Sequence, residues 1–248
     1  MQDEMLKQYT RQMVLPQIGQ QGQQALLDAR VLIVGLGGLG SPAALYLAAA
    51  GIGRMTLCDH DRVDLSNLHR QILYTREHLG KKKTAAAQQQ LKAVRPDLEI
   101  TLIDHRMEGP ELSGHVQQAD LALDCSDNFQ TRYLVNEACV RHRVPLISAA
   151  AIRLEAQIGI FNNTPHSPCY ACLYQASSED TQQRCSDNGV LGPLVGIAGS
   201  MQALEAIKLL TQTGVTLDGK LLTFNAETME WRSLKLRKDP ACPVCSKS

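Results

Sequence analysis

The sequence predicts an α/β protein with a doubly wound, mostly parallel sheet, an antiparallel C-terminal extension and a structural zinc site. Three observations lead to this prediction. An aliphatic and β-branched run at 30–34 breaks into glycines and continues as a helix. Strand-like and helix-like segments then alternate as far as residue 148. Two Cys-x-x-Cys pairs follow in the second half of the chain.

Length and charge favour one domain that binds neither nucleic acid nor membrane. The chain has 248 residues, and its 25 basic and 25 acidic side chains cancel, so no polyanionic partner is indicated. The apolar stretch 43–52 is too short to cross a bilayer, and no signal peptide precedes it, so we expect a cytoplasmic protein. We divide the single domain 1–248 into an N-terminal arm at 1–29, a nucleotide-binding half at 30–150 and a second half at 151–248.

The glycine-rich turn predicts a nucleotide site. In Gly35-x-Gly37-x-x-Gly40, glycines let the backbone turn and approach a phosphate, and the following helix presents its first N–H groups. A second strand, 55–58, ends at Asp59, nineteen positions after Gly40, where an acid accepts a ribose hydroxyl in Rossmann-like sheets. The alternatives are a plain strand-turn-helix unit and an NAD-dependent oxidoreductase.

The remaining elements follow from periodicity and from glycine and proline positions. The arm contains one short helix, 19–27, and a long polar loop follows the second strand at 61–71. The predicted helices that follow are 81–94, 128–142 and a glycine-rich segment at 189–210, whose small residues suit close packing in a core or dimer seam. The predicted strands are 98–103, 121–124 and 144–148, an antiparallel strand at 155–161 and a hairpin of 221–224 with 231–236. A polar loop at 165–188 is expected to cover the site.

Acidic and basic side chains near the strand ends indicate the chemistry. Asp127 follows a strand across the sheet from the glycine turn and is placed to hold Mg²⁺ against phosphates; the alternative is that it only caps a helix. Arg70 and Lys83 are placed to neutralise phosphate charge, or are solvated surface residues. A site of this kind without an acid–base pair suits phosphoryl or nucleotidyl transfer better than hydride transfer.

The two cysteine pairs supply the ligands of a metal site. Cys169, Cys172, Cys242 and Cys245 provide four thiolates, enough to close a tetrahedral Zn²⁺ shell with no position left for catalysis. The alternative is two unrelated redox or structural pairs.

The motifs together resemble the MoeB/ThiF (HesA) family of adenylyltransferases, which is related to ubiquitin-activating enzymes. They are Tyr9-x-Arg11-Gln12, Gly35-x-Gly37-Gly38-Leu39-Gly40, Asp59-x-Asp61, Leu65-Ser66-Asn67-Leu68-x-Arg70-Gln71, Gly80-x-x-Lys83, Asp124-Cys125-x-Asp127-Asn128 and the cysteine pairs. The resemblance implies that ATP and Mg²⁺ bind at the glycine turn. The second half would bind a ubiquitin-like sulfur carrier of the ThiS or MoaD type, whose terminal glycine is activated for thiocarboxylate formation in thiamine or molybdopterin biosynthesis.

The resemblance also implies residue roles. Asp59 would hold the ribose, Asn67, Arg70 and Lys83 the phosphates, and Asp127 the Mg²⁺. Arg11 would reach the nucleotide of a neighbouring subunit in a homodimer. The other implied nucleotide-binding residues are Gly38, Gly40, Asp61, Gln71 and Asn128.

The motifs are consistent with two roles for Cys185 and with two types of carrier. Cys185 matches a cysteine used for sulfur transfer in ThiF-like members, with an inert loop thiol as the alternative. No sulfurtransferase domain follows Cys245 in this sequence, so we expect a separate donor, a cysteine desulfurase or a sulfurtransferase. Trp231-Arg232-Ser233-Leu234 looks more like the thiamine branch. The motifs also leave room for a relative that dehydrates a modified adenosine in tRNA, which would need a basic face, and for a zinc-bound interaction module without catalysis.

Overall fold

The computed structural model describes residues 3–174 and 189–246, with side chains from residue 7 onward. Its strands form one eight-stranded sheet in the order β3-β2-β1-β4-β5-β6-β7-β8. The strands are Arg30–Val34 (β1), Arg54–Cys58 (β2), Glu99–Ile103 (β3), Leu121–Asp124 (β4), Leu146–Ile152 (β5), Glu155–Phe161 (β6), Lys220–Asn225 (β7) and Glu230–Lys235 (β8). The helices are Asp3–Met13 (α1), Gly19–Asp28 (α2), Gly40–Ala50 (α3), Lys83–Val94 (α4), Gly109–Gln117 (α5), Phe129–His142 (α6), Tyr170–Leu173 (α7) and Gly192–Leu210 (α8).

The first five strands are parallel, and the chain reverses its direction of progress across the sheet at β1. Strand β1 lies between β2 and β4, with Val34 level with Cys58 on one side and Asp124 on the other. The loops that leave these three strands therefore meet at one edge. Ligands of open α/β sheets bind at such a switch point, outside the carboxyl ends of the strands.

Alternate side chains of β1 enter two cores because the parallel strands are covered on both faces. Val31 and Ile33 belong to the cluster that includes α3, α4 and α8, whereas Leu32 and Val34 belong to the cluster that includes α5 and α6. The sheet then continues in antiparallel pairs from β5 to β8. The mostly parallel sheet and its antiparallel extension are thus confirmed.

Helix α8 is long and apolar enough to span a membrane by length and composition alone, a property that the sequence prediction did not identify. It packs in the core instead. A Cβ added at Gly199 would lie 2.7 Å from Pro42 of α3 and closer still to a backbone oxygen. Small residues permit this approach, as predicted for a core seam, although Gly196 faces open space.

Four elements differ from the sequence prediction. The short helix α7 lies within the stretch 165–188 that was predicted as a loop, and residues 175–188 of that stretch fall outside the described residues. The N-terminal arm contains a helix, α1, whose Tyr9 is buried and whose Gln12 donates a hydrogen bond to the carbonyl of Ala50 at 3.1 Å. Helix α5 was not predicted, because its polar sequence with glycine and proline at its start reads as a loop. Strand β5 begins two residues later than predicted and runs on to Ile152, since pairing with β6 extends it beyond the parallel part.

Candidate nucleotide-binding site

A cavity of about 610 Å³ opens at the carboxyl edge of the sheet, between the glycine turn and the loops after β2 and β4. Most of the predicted site residues line it: Gly38, Asp59, Asp61, Asn67, Arg70, Gln71, Lys83, Asp127 and Asn128. Three predicted residues are not among the lining residues. Gly40 lies beneath the turn, Arg11 is exposed on α1, and Cys185 falls outside the described residues. The structure therefore brings nine of the predicted residues together around one cavity.

The glycine turn is tight enough to exclude side chains at two of its positions. Gly35 has a φ of +94°, and a Cβ there would lie 2.7 Å from the carbonyl oxygen of Cys125. A Cβ at Gly40 would collide with the carbonyl oxygen of Gly35. The structure thus gives Gly40 a packing role inside the turn and leaves Gly38 on the cavity wall.

Asp59 is fixed at the end of β2 by backbone donors. Its Oδ2 accepts a hydrogen bond from the N–H of Leu36 at 2.8 Å, and its Oδ1 accepts one from the N–H of Asp61 at 2.9 Å. Each carboxylate oxygen retains a free lone pair. The side chain is therefore held rigidly beside the glycine turn and is still able to accept a ligand hydroxyl.

Of the three consecutive lysines at 81–83, Lys83 lines the cavity. Its Nζ lies 2.9 Å from Asp61 Oδ2 and 3.9 Å from Asp59 Oδ2, and its side chain is buried. Lys82 points elsewhere and donates to the carbonyl of Asp104 at 3.0 Å. Burial raises the pKa of Asp61, but the hydrogen bond and positive charge of Lys83 outweigh burial, so this pKa is lower than usual.

The loop after β2 is ordered by its own side chains. Asp64 caps a short 3-10 turn, Leu65–Asn67, by accepting from the N–H of Ser66 at 2.8 Å, and Asn67 Oδ1 accepts from the N–H of Asp64 at 3.2 Å. Hydrogen bonds from Ser66 lower the pKa of Asp64, which keeps it ionised as the cap. Arg70 donates to the carbonyl of Ser66 at 3.0 Å.

Two groups in this wall retain unused capacity for a ligand. Arg70 forms no salt bridge with a carboxylate in the part of the chain that the structure describes. Gln71 is buried beside Gly37, and its Oε1 has no hydrogen-bond partner among the described residues. A buried acceptor without a donor is costly, so a ligand that supplies an N–H or O–H here would stabilise the site.

Asp127 does not cap the following helix. Asn128 does so, since its Oδ1 accepts from the N–H of Thr131 at 2.9 Å. The capping alternative for Asp127 is therefore wrong. Asp127 is exposed at the cavity, and no hydrogen bond or ion pair involves its carboxylate within residues 3–174 and 189–246. Its neighbour Asp124 is buried and accepts from the Ser148 hydroxyl at 2.7 Å, which leaves Asp127 as the available carboxylate of the turn after β4.

The far wall of the cavity was missed because α5 was missed. Met107 and Leu112 line it together with Val34 and Cys58. Burial raises the pKa of the Cys58 thiol to about 12, so it is uncharged at neutral pH. The four side chains form an apolar patch beside Arg106 and Glu108, which also line the cavity. A flat aromatic base would be accommodated there. The only feature of the sequence that indicated this wall was the length of the segment between β3 and β4.

The four cysteines of the two pairs converge at one place, which we call the cysteine tetrad. Their sulfur atoms all lie within 4.8 Å of one another, with separations of 3.6 Å for Cys169 to Cys242 and 3.4 Å for Cys172 to Cys245. Tetrahedral zinc with Zn–S bonds of about 2.3 Å places its sulfurs about 3.8 Å apart. The cluster is therefore compatible with zinc. Because all four sulfurs lie together, the alternative of two unrelated cysteine pairs does not fit the structure.

Comparison with known proteins assigns the family. The family model described as "ThiF family" matches residues 9–244.

The chain belongs to the ThiF family. Sulfur carrier protein ThiS adenylyltransferase of Escherichia coli (strain K12) is 45% identical over 100% of this chain and 98% of its own length. Molybdopterin-synthase adenylyltransferase of the same strain is 43% identical, with 98% and 97% covered. Adenylyltransferase and sulfurtransferase MOCS3 of Anopheles gambiae is 42% identical, with 98% of this chain but 55% of that protein covered.

Solved structures with a similar fold are also found. E. coli MccB crystallised with ATP superposes with a TM-score of 0.81 and 25% identity, covering 91% of this chain and 68% of that one. PaaA superposes with a TM-score of 0.83 over 96% and 76% of the two chains, and at 23% identity it supports the fold alone.

Proposed function

We propose that this chain is an ATP- and Mg²⁺-dependent adenylyltransferase that activates the C-terminal glycine carboxylate of a ubiquitin-like sulfur carrier. The observation that carries the proposal is the cavity, where Arg70, Lys83 and Asp127 meet the glycine turn at the switch point of the sheet. The names of relatives that match almost the whole chain supply the substrate class. Their identities, 45% and 43%, are too similar to choose between a ThiS-type and a MoaD-type carrier.

The walls of the cavity suggest how ATP lies in it. The base would lie against the apolar wall of Met107 and Leu112, and the ribose hydroxyls would donate to Asp59. Gln71 Oε1 would receive a donor that it lacks among the described residues. The triphosphate would then pass the glycine turn toward Arg70 and Lys83.

Charge neutralisation and alignment account for the reaction. Asp127 would hold Mg²⁺, which withdraws electron density from the phosphates and neutralises the charge of the leaving group. Arg70 and Lys83 would neutralise the remaining phosphate charge, and Asn67 would donate to a phosphate oxygen. The carboxylate oxygen of the carrier attacks the α-phosphorus, the bond from that phosphorus to the β-phosphate oxygen breaks, and pyrophosphate leaves with the bonding electrons. No proton moves, so no general base is required.

Zinc at the cysteine tetrad would be structural. Four protein thiolates leave no open coordination position, and the tetrad ties the segment after β6 to the C-terminal residues. Structural zinc sites of this type contribute about 10–16 kcal/mol of apparent binding free energy in small peptides, which is ample to hold the two segments together.

Arg11 would act in a homodimer. It is exposed on α1 and does not line its own chain's cavity, so any contact with nucleotide must be with a second copy. Mixing Arg11→Ala and Asp127→Asn subunits tests this role, because a mixed dimer retains one site that carries both native residues. Recovery of activity on mixing supports the arrangement, and its absence contradicts it.

We also propose that a cysteine desulfurase or a sulfurtransferase in the cytoplasm delivers the sulfur. The MOCS3 relatives, whose names include a sulfurtransferase, carry additional length that this chain does not match. Cys185 remains our candidate for the transfer step.

Exchange between ATP and pyrophosphate tests the proposed function directly. The purified protein is mixed with each candidate carrier, Mg²⁺, ATP and labelled pyrophosphate. We expect label in ATP only with a carrier that ends in a free glycine carboxylate. Exchange without carrier, or none with any carrier, would contradict the proposal. Calorimetry with NAD in place of ATP tests the oxidoreductase alternative. The alternative of a tRNA substrate is not favoured, because the chain has a formal net charge of zero.

A further inference from the structure

One face of α6 connects the nucleotide cavity to the cysteine tetrad. Asn128, Arg132, Asn136 and Val140 recur every four residues, so they lie along a single stripe of the helix. At a rise of about 1.5 Å per residue the stripe is about 18 Å long. Asn128 caps the helix next to Asp127, whereas Val140 packs in the apolar cluster that the tetrad forms.

Arg132 anchors the turn that carries Asp127. Its Nη2 donates to the carbonyl of Ser126 at 2.6 Å and to a carbonyl of β5 at 2.9 Å. Its Nη1 donates to the hydroxyl of Ser148 at 3.1 Å and lies 3.4 Å from Asp124 Oδ2. The side chain is 4% exposed. A lysine at this position would present a point charge and lose the planar fork that makes these contacts together.

Asn136 and Tyr170 join α6 to the tetrad. Asn136 is fully buried, and its Nδ2 donates to Cys169 Sγ at 3.7 Å. Its Oδ1 accepts from the N–H of Tyr170 at 2.8 Å. The ring of Tyr170 in turn has its centroid 6.0 Å from the guanidinium carbon of Arg132. Hydrogen bonds to a ligating sulfur orient metal ligands in many sites. A continuous chain of contacts therefore joins Cys169 to the residues that hold the Asp127 turn.

We propose that the metal-closed tetrad positions Asp127 through Asn136, Tyr170 and Arg132, so that metal at the tetrad and Mg²⁺–ATP in the cavity favour each other's binding. This inference rests on the proposed function for the identity of the nucleotide. We assign Arg132 and Asn136 as positioning residues, because the hydrogen bonds of Arg132 hold the Asp127 turn and those of Asn136 hold Cys169 and Tyr170. Arg132 also lines the cavity, so calorimetry of nucleotide binding is measured for Arg132→Lys as well. Coupling between two sites is reciprocal by thermodynamic necessity, which allows it to be measured at the tetrad rather than by activity.

A purely structural tetrad is the competing explanation. Tyr170 also packs against Phe161 and Tyr174, with ring centroids 5.5 Å and 4.9 Å away. If these rings alone held Tyr170, zinc affinity would not respond to nucleotide.

The test measures the apparent dissociation constant of the protein for Zn²⁺ by competition with a chromophoric chelator. It is measured with and without Mg²⁺ and α,β-methylene-ATP, which resists cleavage at the α-phosphorus. We expect the nucleotide to tighten zinc binding about three- to thirtyfold in the native chain. In Arg132→Lys we expect nucleotide to tighten zinc binding much less than in the native chain. Arg141→Lys, the same change at an exposed position of α6, should keep it and serves as the matched control.

The outcomes separate this proposal from the proposed function. Calorimetry establishes first whether Mg²⁺ and the analogue bind. If the native chain binds them but its zinc affinity does not change, the coupling alone is contradicted. The coupling is also contradicted if nucleotide increases the zinc affinity of Arg132→Lys as much as that of the native chain. A chain that binds no nucleotide contradicts both proposals. Circular dichroism checks the fold of each variant. If Arg132→Lys does not fold, Asn136→Ser replaces it and should likewise lose most of the increase in zinc affinity. The native chain by itself still tests whether nucleotide and zinc favour each other's binding.

Discussion

Asp127 is the residue on which the proposed reaction depends most, and Asp127→Asn isolates its charge. The substitution keeps the size of the side chain and removes one negative charge from the cavity wall. Because Asp127 is exposed and Asn128 is the helix cap, we expect the free energy of unfolding to change by less than about 0.5 kcal/mol.

The effect on catalysis should be far larger than the effect on stability. A pair of unit charges about 4 Å apart near a protein surface interacts by about 4 kcal/mol. Loss of that interaction from the transition state corresponds to about a thousandfold in rate. The assay is carrier-dependent exchange of pyrophosphate into ATP, measured over a series of Mg²⁺ concentrations.

Asp120→Asn is the matched control, because Asp120 precedes the same strand, β4, at the opposite edge of the sheet. It loses an exposed ion pair with Arg30 at 3.5 Å, worth at most about 1 kcal/mol. The amide oxygen of Asn can still accept the hydrogen bond from the N–H of Arg30, so this variant should retain full exchange. Unchanged exchange in Asp127→Asn would remove Asp127 from the mechanism, and a fall in both variants would show that the assay reports folding.

Four further predictions test the site and its supports. Removing one tetrad ligand by Cys172→Ala should release zinc and lower the midpoint of thermal unfolding by about 6–12 °C, from a loss of at least ~3 kcal/mol; retained zinc would contradict this. Since Lys83 lowers the pKa of Asp61, their pair stabilises the fold above about pH 4 and this contribution is lost as the pH falls below that value. Asp61→Asn should therefore flatten the acid limb of a plot of unfolding free energy against pH, and an unchanged limb would argue against the pair. Gly35→Ala should lower the free energy of unfolding by about 1–3 kcal/mol, as measured with denaturant, because the φ of +94° at this position favours glycine. Cys185→Ser should retain full pyrophosphate exchange and impair only thiocarboxylate formation, and lost exchange would contradict that division.

The parallel half of the sheet could be predicted because each of its strands has its own local signal. The aliphatic run of β1 ends at Gly35, whose positive φ favours glycine. Strand β4 ends at the buried Asp124, and Asn128 then caps the next helix. Such signals depend on neighbours in sequence. The same locality indicated Asp59, Arg70, Lys83 and Asp127 near the strand ends, whereas the other predicted residues of the cavity wall came from the family resemblance. These are Gly38, Asp61, Asn67, Gln71 and Asn128.

The parts that were missed depend on contacts distant in sequence. Helix α1 has few apolar residues, and burial of Tyr9 with the Gln12 bond to Ala50 holds it on the core. Helix α5 is ordered by packing of Leu112 and Val116 against the second core. Arg132 gave no signal as a site residue, since its role arises only when β4 and β5 bring their acceptors to it.

The measurement that tests the central claim most directly follows an oxygen atom. A carrier whose terminal carboxylate is labelled with ¹⁸O is incubated with the enzyme, Mg²⁺ and ATP, and the activated carrier is then cleaved with hydroxylamine at its carbonyl carbon. If the carboxylate attacks the α-phosphorus, the AMP that is released carries one ¹⁸O, and pyrophosphate is the other product. Unlabelled AMP, or ADP with labelled inorganic phosphate, would contradict the mechanism.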